Sequence, residues 1–284
     1  MFERIYVEIG NVCNLHCSFC PTLKRKKKQM SADEFRLICE KIKPHTSYVY
    51  LHVMGEPLLH PELNEMLSIA ERSSLRVCIT TNGTLLKKNR AVLLSHAKTI
   101  HKVSISLHCI EGNEGAGLSM DEYLSECFDF AKRAAEVGIF TVFRLWNLND
   151  GGREGANAQN EYIESALHSA FPEEWTSRRA GFRLQKNTFL EYAGIFTWPV
   201  ESGAEPQEHG RCHGMLDQLA ILVDGSVVPC CLDSEGEITL GNIFEASLDE
   251  ILASPRAAAM TEGLRCGKLT EALCQRCTYA RRFK

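Results

Sequence analysis

The sequence predicts an α/β fold in which strands alternating with helices build a parallel sheet that curls into an open barrel, followed by a smaller module at the carboxyl end. Three observations predict it. Apolar residues at every second position mark strands that alternate with helical stretches across residues 3–146. Strands separated by helices of these lengths imply parallel pairing. The chain has 284 residues, 44% hydrophobic and 24% charged, enough for a large core and a small one in a globular protein.

Glu3–Ile9 reads as the first strand, with Ile5, Val7 and Ile9 on one face. Ser31-Ala32-Asp33-Glu34 is a capping box ahead of Phe35, Leu37, Ile38 and Ile42 and starts the first helix. Ser47–Val53 follows as strand two, Pro61–Ser73 as helix two, Leu75–Thr80 as strand three and Leu85–His96 as helix three. Lys102–Leu107 is strand four, Asp121–Val137 helix four and Ile139–Trp146 strand five. The pattern then weakens to a helix over Asn160–Ala170 and a short strand over Gly181–Gln185, after a polar, glycine-rich loop at Gly151–Gly155 that reads as mobile. Six such units make a partial (β/α)6 TIM-like barrel, whose active site is expected at the carboxyl ends of the strands.

The net charge of -4 argues against a dedicated nucleic-acid binder. No apolar run is long enough to span a bilayer and no signal peptide precedes Cys13, so the expected location is cytoplasmic, with no membrane partner. Thirteen cysteines are unusual there unless several hold metal.

Three of them, Cys13, Cys17 and Cys20, fall within eight residues, spaced C-x3-C-x2-C with Phe19 before the last. Disulfides are rare in a reducing compartment, and thiolates are the usual ligands of iron-sulfur clusters. A zinc site with His16 as fourth ligand is the alternative. The motif resembles the signature of the radical S-adenosylmethionine superfamily. That resemblance implies a 4Fe-4S cluster on these three cysteines, its fourth iron chelated by the amine and carboxylate of S-adenosylmethionine.

Further positions match the family one by one. Gly55-Glu56-Pro57, after strand two, resembles the segment whose backbone binds the methionine amine, with Met54 where the family often has another glycine. Ser106, or Ser104 two residues earlier, resembles the strand-four residue near the ribose or carboxylate, with sheet-end capping as the alternative. Asn82 is a further candidate contact. Arg144 is similar to the strand-five arginine that pairs with the cosubstrate carboxylate, a role suited to a guanidinium fork; an ordinary salt bridge is the alternative.

The carboxyl end carries a second cysteine set. Leu219–Cys230 reads as a hairpin with an Asp224-Gly225 turn, preceded by Cys212 and followed by helical Leu248–Leu252 and Cys274-Gln275-Arg276-Cys277. Cys212, Cys230, Cys274 and Cys277 can form a four-thiolate site, with Cys231 and Cys266 as possible substitutes and structural zinc as the alternative occupant. The opening C-x12-G-x4-C resembles SPASM and Twitch auxiliary-cluster domains. The chain ends seven residues after Cys277, without the family's later cysteines, which favours the Twitch form with one auxiliary 4Fe-4S cluster. The expected domains are residues 1–205, core and bridge through Phe196–Pro199, and residues 206–284, the auxiliary domain. Cys39, Cys78 and Cys127 read as core thiols, and Cys109 as a buried bystander on the active rim.

The resemblance implies an enzyme in which reduction of the sulfonium releases a 5'-deoxyadenosyl radical that takes a hydrogen from a substrate C–H bond, in a net oxidation assisted by the auxiliary cluster. Glu8 and Asp233 are the candidate bases for the proton lost, with a solvated or paired carboxylate as the alternative for each. Only twelve residues precede Cys13, which tilts the expectation toward a small molecule over a peptide. A flavodoxin- or ferredoxin-type protein is the expected electron donor. The basic run Lys24–Lys28 reads as a solvated loop, or as a dock for such an acidic partner. The competing class is a non-catalytic iron-sulfur or zinc protein, an electron carrier or binding module, which has no need of the rim residues.

Overall fold

The first strand and its capping-box helix form as expected: β1 (Arg4–Val7) buries Ile5, Tyr6 and Val7, and α1 (Ala32–Ile42) starts at Ser31. Ser31 accepts the Glu34 N–H, and Glu34 accepts the Ser31 N–H at 2.7 Å. The apolar stripe Phe35, Ile38, Cys39 and Ile42 is buried, and the charged face is left to solvent. β2 (Tyr48–Tyr50) runs parallel to β1 with Ile5 opposite Val49, and α2 (Leu63–Arg72) buries Leu63, Met66, Leu67, Ile69 and Ala70. The computed structural model describes residues 1–113, 119–148 and 158–282, in two units. Met1–Asn14, Cys20–Val77 and Phe196–Lys284 make the first; Leu15–Phe19 and Cys78–Ile195 make the second. The chain passes between them within β3 (Arg76–Thr81).

In the second unit β3 is followed by α3 (Leu86–Ser95), β4 (Ile100–Ser106), α4 (Met120–Glu136), β5 (Phe140–Leu148) and α5 (Ala158–Ala170). Three strands then follow, β6 (Thr176–Arg178), β7 (Gly181–Gln185) and β8 (Thr188–Gly194). β4 and β5 are parallel, with Ser104 opposite Val142 and Ser106 opposite Arg144. The next parallel position is filled by β8. The expected strand at Gly181–Gln185 pairs antiparallel to β8 instead, with β6 antiparallel beyond it. α4 supplies a buried aromatic edge, with Phe128 T-shaped against Phe143 at 5.5 Å. The Gly151–Gly155 loop lies outside the described residues.

The first unit is completed from the carboxyl end by β9 (Gln218–Ile221), β10 (Ser226–Val228), β11 (Gly241–Asn242), α6 (Leu248–Leu252), α7 (Pro255–Arg265) and α8 (Ala272–Arg276). β9 runs parallel to β1, from Arg4 opposite Gln218 to Val7 opposite Ile221. The Asp224-Gly225 turn forms as expected, with Gly225 at φ +88° and Val227 opposite Ile221. Among the described residues no helix is long and apolar enough to cross a membrane.

His60, just beyond the Gly55-Glu56-Pro57 segment, joins two loops of this unit. Its Nδ1 accepts the Glu62 N–H at 3.1 Å, and its Nε2 donates to the Met30 carbonyl at 2.9 Å. Both ring nitrogens are occupied in the neutral form, and burial pushes the imidazole below its ordinary value. A group with a depressed basic pKa binds fewer protons folded than unfolded, so its stabilisation is whole above about pH 6.5 and is lost as pH falls below it. The thermal midpoint should therefore drop between about pH 7.5 and 5.5, and His60→Gln should flatten that drop.

Candidate functional site

In the first unit, the backbone that follows β2 presses against the residues leading into Cys13. Gly55 is left-handed at φ +80°, and a Cβ there would lie 2.5 Å from the Gly10 carbonyl oxygen and 2.9 Å from two Asn11 backbone atoms. The Glu56 N–H donates to Val12 O at 2.9 Å. The Glu56 carboxylate is turned away from this contact and accepts the Leu58 N–H at 2.9 Å, capping a short 3-10 turn that Pro57 opens.

Glu8, read from the sequence as a candidate base, is wholly buried and accepts four hydrogen bonds. Arg25 supplies two, at 2.7 and 2.9 Å, and the backbone N–H groups of Met54 and Val223 the others, at 3.2 and 3.0 Å. Each oxygen of this carboxylate thus takes one guanidinium N–H and one backbone N–H. Asp233 is likewise a turn cap: its two oxygens accept the Glu237 and Ile238 N–H groups, both at 2.9 Å, although burial pushes the carboxyl above its ordinary value. The basic run is divided as well. Arg25 faces inward, Lys28 pairs with Glu34 at 2.8 Å, and only Lys24, Lys26 and Lys27 are exposed.

The second set of thiols gathers in the same unit. Burial, then the charges of neighbouring thiols, pushes Cys230 and Cys274 well above the ordinary value; Cys212 is raised by burial and by Cys277, and Cys277 by burial. Backbone N–H groups are aimed at three of these sulfurs: Gly214 at Cys212 (3.4 Å), Leu232 at Cys230, and Tyr279 and Ala280 at Cys277. Donors of this kind suit thiolates. A Cβ at Gly214 would come within 3.7 Å of the Cys212 sulfur and 3.8 Å of the Cys230 Cβ, so this glycine keeps the space between them open. Cys231 acts on Cys230 and is acted on by Cys212, while its thiol hydrogen-bonds Tyr6 beside Val53, Leu222 and Val228 and burial pushes it up to about 11. Cys266 is exposed and bonded to Glu262. Among the described residues no three metal-binding side chains converge as tightly as a single ion requires, but a cubane holds its thiolates at separate corners.

In the second unit the expected rim residues meet at the ends of β3, β4 and β5. Ser106 lies beside Arg144 across the parallel pair, and Arg144 donates to Thr80 Oγ1 at 3.3 Å while stacking over Trp146 at 4.2 Å. Ser104 is fully buried on β4, and its hydroxyl has no hydrogen-bond partner among the described residues. An orphaned buried hydroxyl beside this rim fits a polar ligand group. Asn82 is held by its own backbone: the Tyr123 hydroxyl and Cys109 thiol donate to its carbonyl at 2.8 and 3.2 Å, while its Oδ1 accepts from Thr84. Cys17 donates to the Cys109 carbonyl at 3.8 Å, and Phe19 packs on His108 at 5.0 Å. Cys39, Cys78, Cys109 and Cys127 are all buried, as expected.

Sequence reasoning missed Arg25, Thr80 and Gly214. Arg25 carried a signal, since a buried carboxylate on the first strand needs a cation and the basic run is the nearest source. Thr80 and Gly214 carried none.

The family model described as the radical SAM superfamily matches residues 7–149, half the chain, and the SPASM iron-sulfur cluster-binding domain matches residues 212–278. The antilisterial bacteriocin subtilosin biosynthesis protein AlbA of Bacillus subtilis is 25% identical over 87% of this chain and 59% of its own length. The sporulation killing factor maturation protein SkfB of the same organism is 23% identical over 86% and 63%. This chain thus spans about three fifths of the length of those relatives. The solved structure of BtrN with AdoMet and 2-DOIA covers 98% of this chain and 93% of BtrN, with a TM-score of 0.63 at 18% identity, a likeness of fold. The fold class is the expected one, α/β with a partial TIM-like barrel, and the chain belongs to the radical SAM superfamily.

Proposed function

We propose that this chain is a radical S-adenosylmethionine enzyme acting on a C–H bond of a peptide in a net oxidation. The observation that carries the reading is the packing of the Met54–Glu56 backbone on Gly10–Val12, a cradle at the lip of a three-cysteine loop. Cys13, Cys17 and Cys20 would hold one 4Fe-4S cluster, and Cys212, Cys230, Cys274 and Cys277 a single auxiliary one. The two clusters and S-adenosylmethionine, when bound, supply the 5'-deoxyadenosyl radical that removes the hydrogen and the acceptor for the second electron. The backbone of Gly55, Glu56 and Pro57 would receive the methionine amine, Arg144 its carboxylate, and Ser104, Ser106 and Asn82 the ribose side.

To take the proton lost in the oxidation, Glu8 or Asp233 would have to give up one of the hydrogen bonds its oxygens now accept from backbone and guanidinium groups. Exposed Lys24, Lys26 and Lys27 would meet an acidic flavodoxin- or ferredoxin-type donor. The division at residue 205 is proposed as one of chemistry, core against auxiliary module. A peptide substrate is favoured over a small molecule by the relatives AlbA and SkfB, named for bacteriocin biosynthesis and killing-factor maturation.

The test is anaerobic reconstitution with iron and sulfide, then S-adenosylmethionine and dithionite, with 5'-deoxyadenosine as the readout. Short peptides encoded beside this gene and small molecules from neighbouring pathways are added in parallel, and loss of two hydrogens is read by mass. A full iron complement with no 5'-deoxyadenosine would sink the enzyme reading in favour of an electron carrier. Turnover of a small molecule and of none of the peptides would reverse the substrate choice.

A further inference from the structure

The two oxygens of Glu8 face different parts of the first unit. Oε1 accepts Arg25 Nη2 at 2.7 Å and the Met54 N–H at 3.2 Å. Oε2 accepts Arg25 Nη1 at 2.9 Å and the Val223 N–H at 3.0 Å, in the turn between β9 and β10. Arg25 spends its Nε on the Ser234 carbonyl at 2.7 Å, and the adjoining Lys24 N–H donates to Glu235 at 2.9 Å. One carboxylate therefore joins three segments: the backbone that opens the Met54–Pro57 cradle, the chain leaving Cys20, and the stretches on both sides of Cys230.

We propose that Glu8 and Arg25 are a positioning pair, setting S-adenosylmethionine affinity without touching it by holding the Met54–Glu56 cradle in register with the auxiliary-cluster segment. The chemistry of the residues requires this pair. Only a carboxylate offers two equivalent acceptor oxygens, each able to take one guanidinium N–H and one backbone N–H. A glutamine in its place turns an NH2 group toward donors on one side, so either the cradle or the hairpin loses its anchor. Lysine at position 25 cannot fork to both oxygens. Gly55 follows Met54 directly and packs so closely on Gly10 that an added Cβ would lie 2.5 Å from the Gly10 oxygen, so a displaced Met54 N–H disturbs that contact. The inference rests on the proposed cosubstrate reading and assigns a role to residues outside it.

The experiment uses the full chain, reconstituted anaerobically, with radiolabelled S-adenosylmethionine in equilibrium dialysis, iron counted, and unfolding followed by circular dichroism. Glu8→Gln should weaken cosubstrate binding about tenfold, the scale of one lost charge-assisted hydrogen bond, while keeping the wild-type iron complement. Arg25→Lys should fall between that variant and the wild type. Cys230→Ala, which disturbs the auxiliary segment, should weaken binding in the wild type but add little in the Glu8→Gln background, a coupling that a merely stabilising pair would not produce. If Glu8→Gln fails to fold, Glu8→Gln with Arg25→Gln gives a neutral amide pair and is read in its place. Cosubstrate binding within about twofold of wild type in the folded variant overturns the proposal. Failure of the wild type itself to bind S-adenosylmethionine would instead overturn the functional reading on which it rests.

Discussion

A variant carrying Cys13→Ala, Cys17→Ala and Cys20→Ala should make no detectable 5'-deoxyadenosine while retaining about four irons, those of a cubane on the remaining thiols. Four irons, or nearly so, should be missing relative to the wild type. The thiols involved are half-buried or exposed, so their loss opens no large cavity, and the unfolding transition of the metal-free chain should barely move. The complementary variant, alanine at Cys212, Cys230, Cys274 and Cys277, should still cleave S-adenosylmethionine, with a lower yield of oxidised product for each deoxyadenosine formed. Iron analysis with both assays separates the two sets. Retention of all iron by the triple variant would mean that the loop is not a cluster site.

Gly55→Val should be the most damaging single substitution in the cradle. The left-handed backbone alone costs a side chain roughly 1–3 kcal/mol. A Cβ placed 2.5 Å from the Gly10 oxygen then forces the cradle off the strand that leads to Cys13. Gly138→Ala is the control, for Gly138 is also left-handed at φ +87° and a Cβ there meets nothing within 4 Å. Gly55→Ala should therefore lower the urea midpoint more than Gly138→Ala does, and should abolish cosubstrate binding that Gly138→Ala leaves intact. Equal effects at the two positions would show that the close approach contributes nothing.

The regular part of the fold was legible because local signals and tertiary structure agree. The capping box at Ser31, the Asp224-Gly225 turn and the alternating apolar residues of β4 and β5 each specify a local geometry that packing then uses. β8 was missed because the order of strands in a sheet is set by long-range pairing, and nothing within Thr188–Gly194 distinguishes it from the neighbouring β7. α7 did carry a signal, Ser254 and Pro255 at its amino end, which the stretch of small residues after them obscured. At the site, residue types grouped by spacing were readable, as with the two cysteine sets. Roles that depend on a partner were not. Glu8 looks the same in sequence whether it faces a substrate proton or Arg25, and only the folded chain brings those two together.

The pairing of β9 with β1 bears on how the chain is made. β1 is made well before one of its two parallel neighbours, which lies more than two hundred positions later. Until that neighbour emerges, the hydrogen-bonding edge of β1 stays open, and the nascent amino-terminal segment is exposed to strand pairing with other chains. A fragment ending at residue 205 would carry that open edge permanently. Folding of the first unit is therefore a high-contact-order event, closed only when β9 has been made.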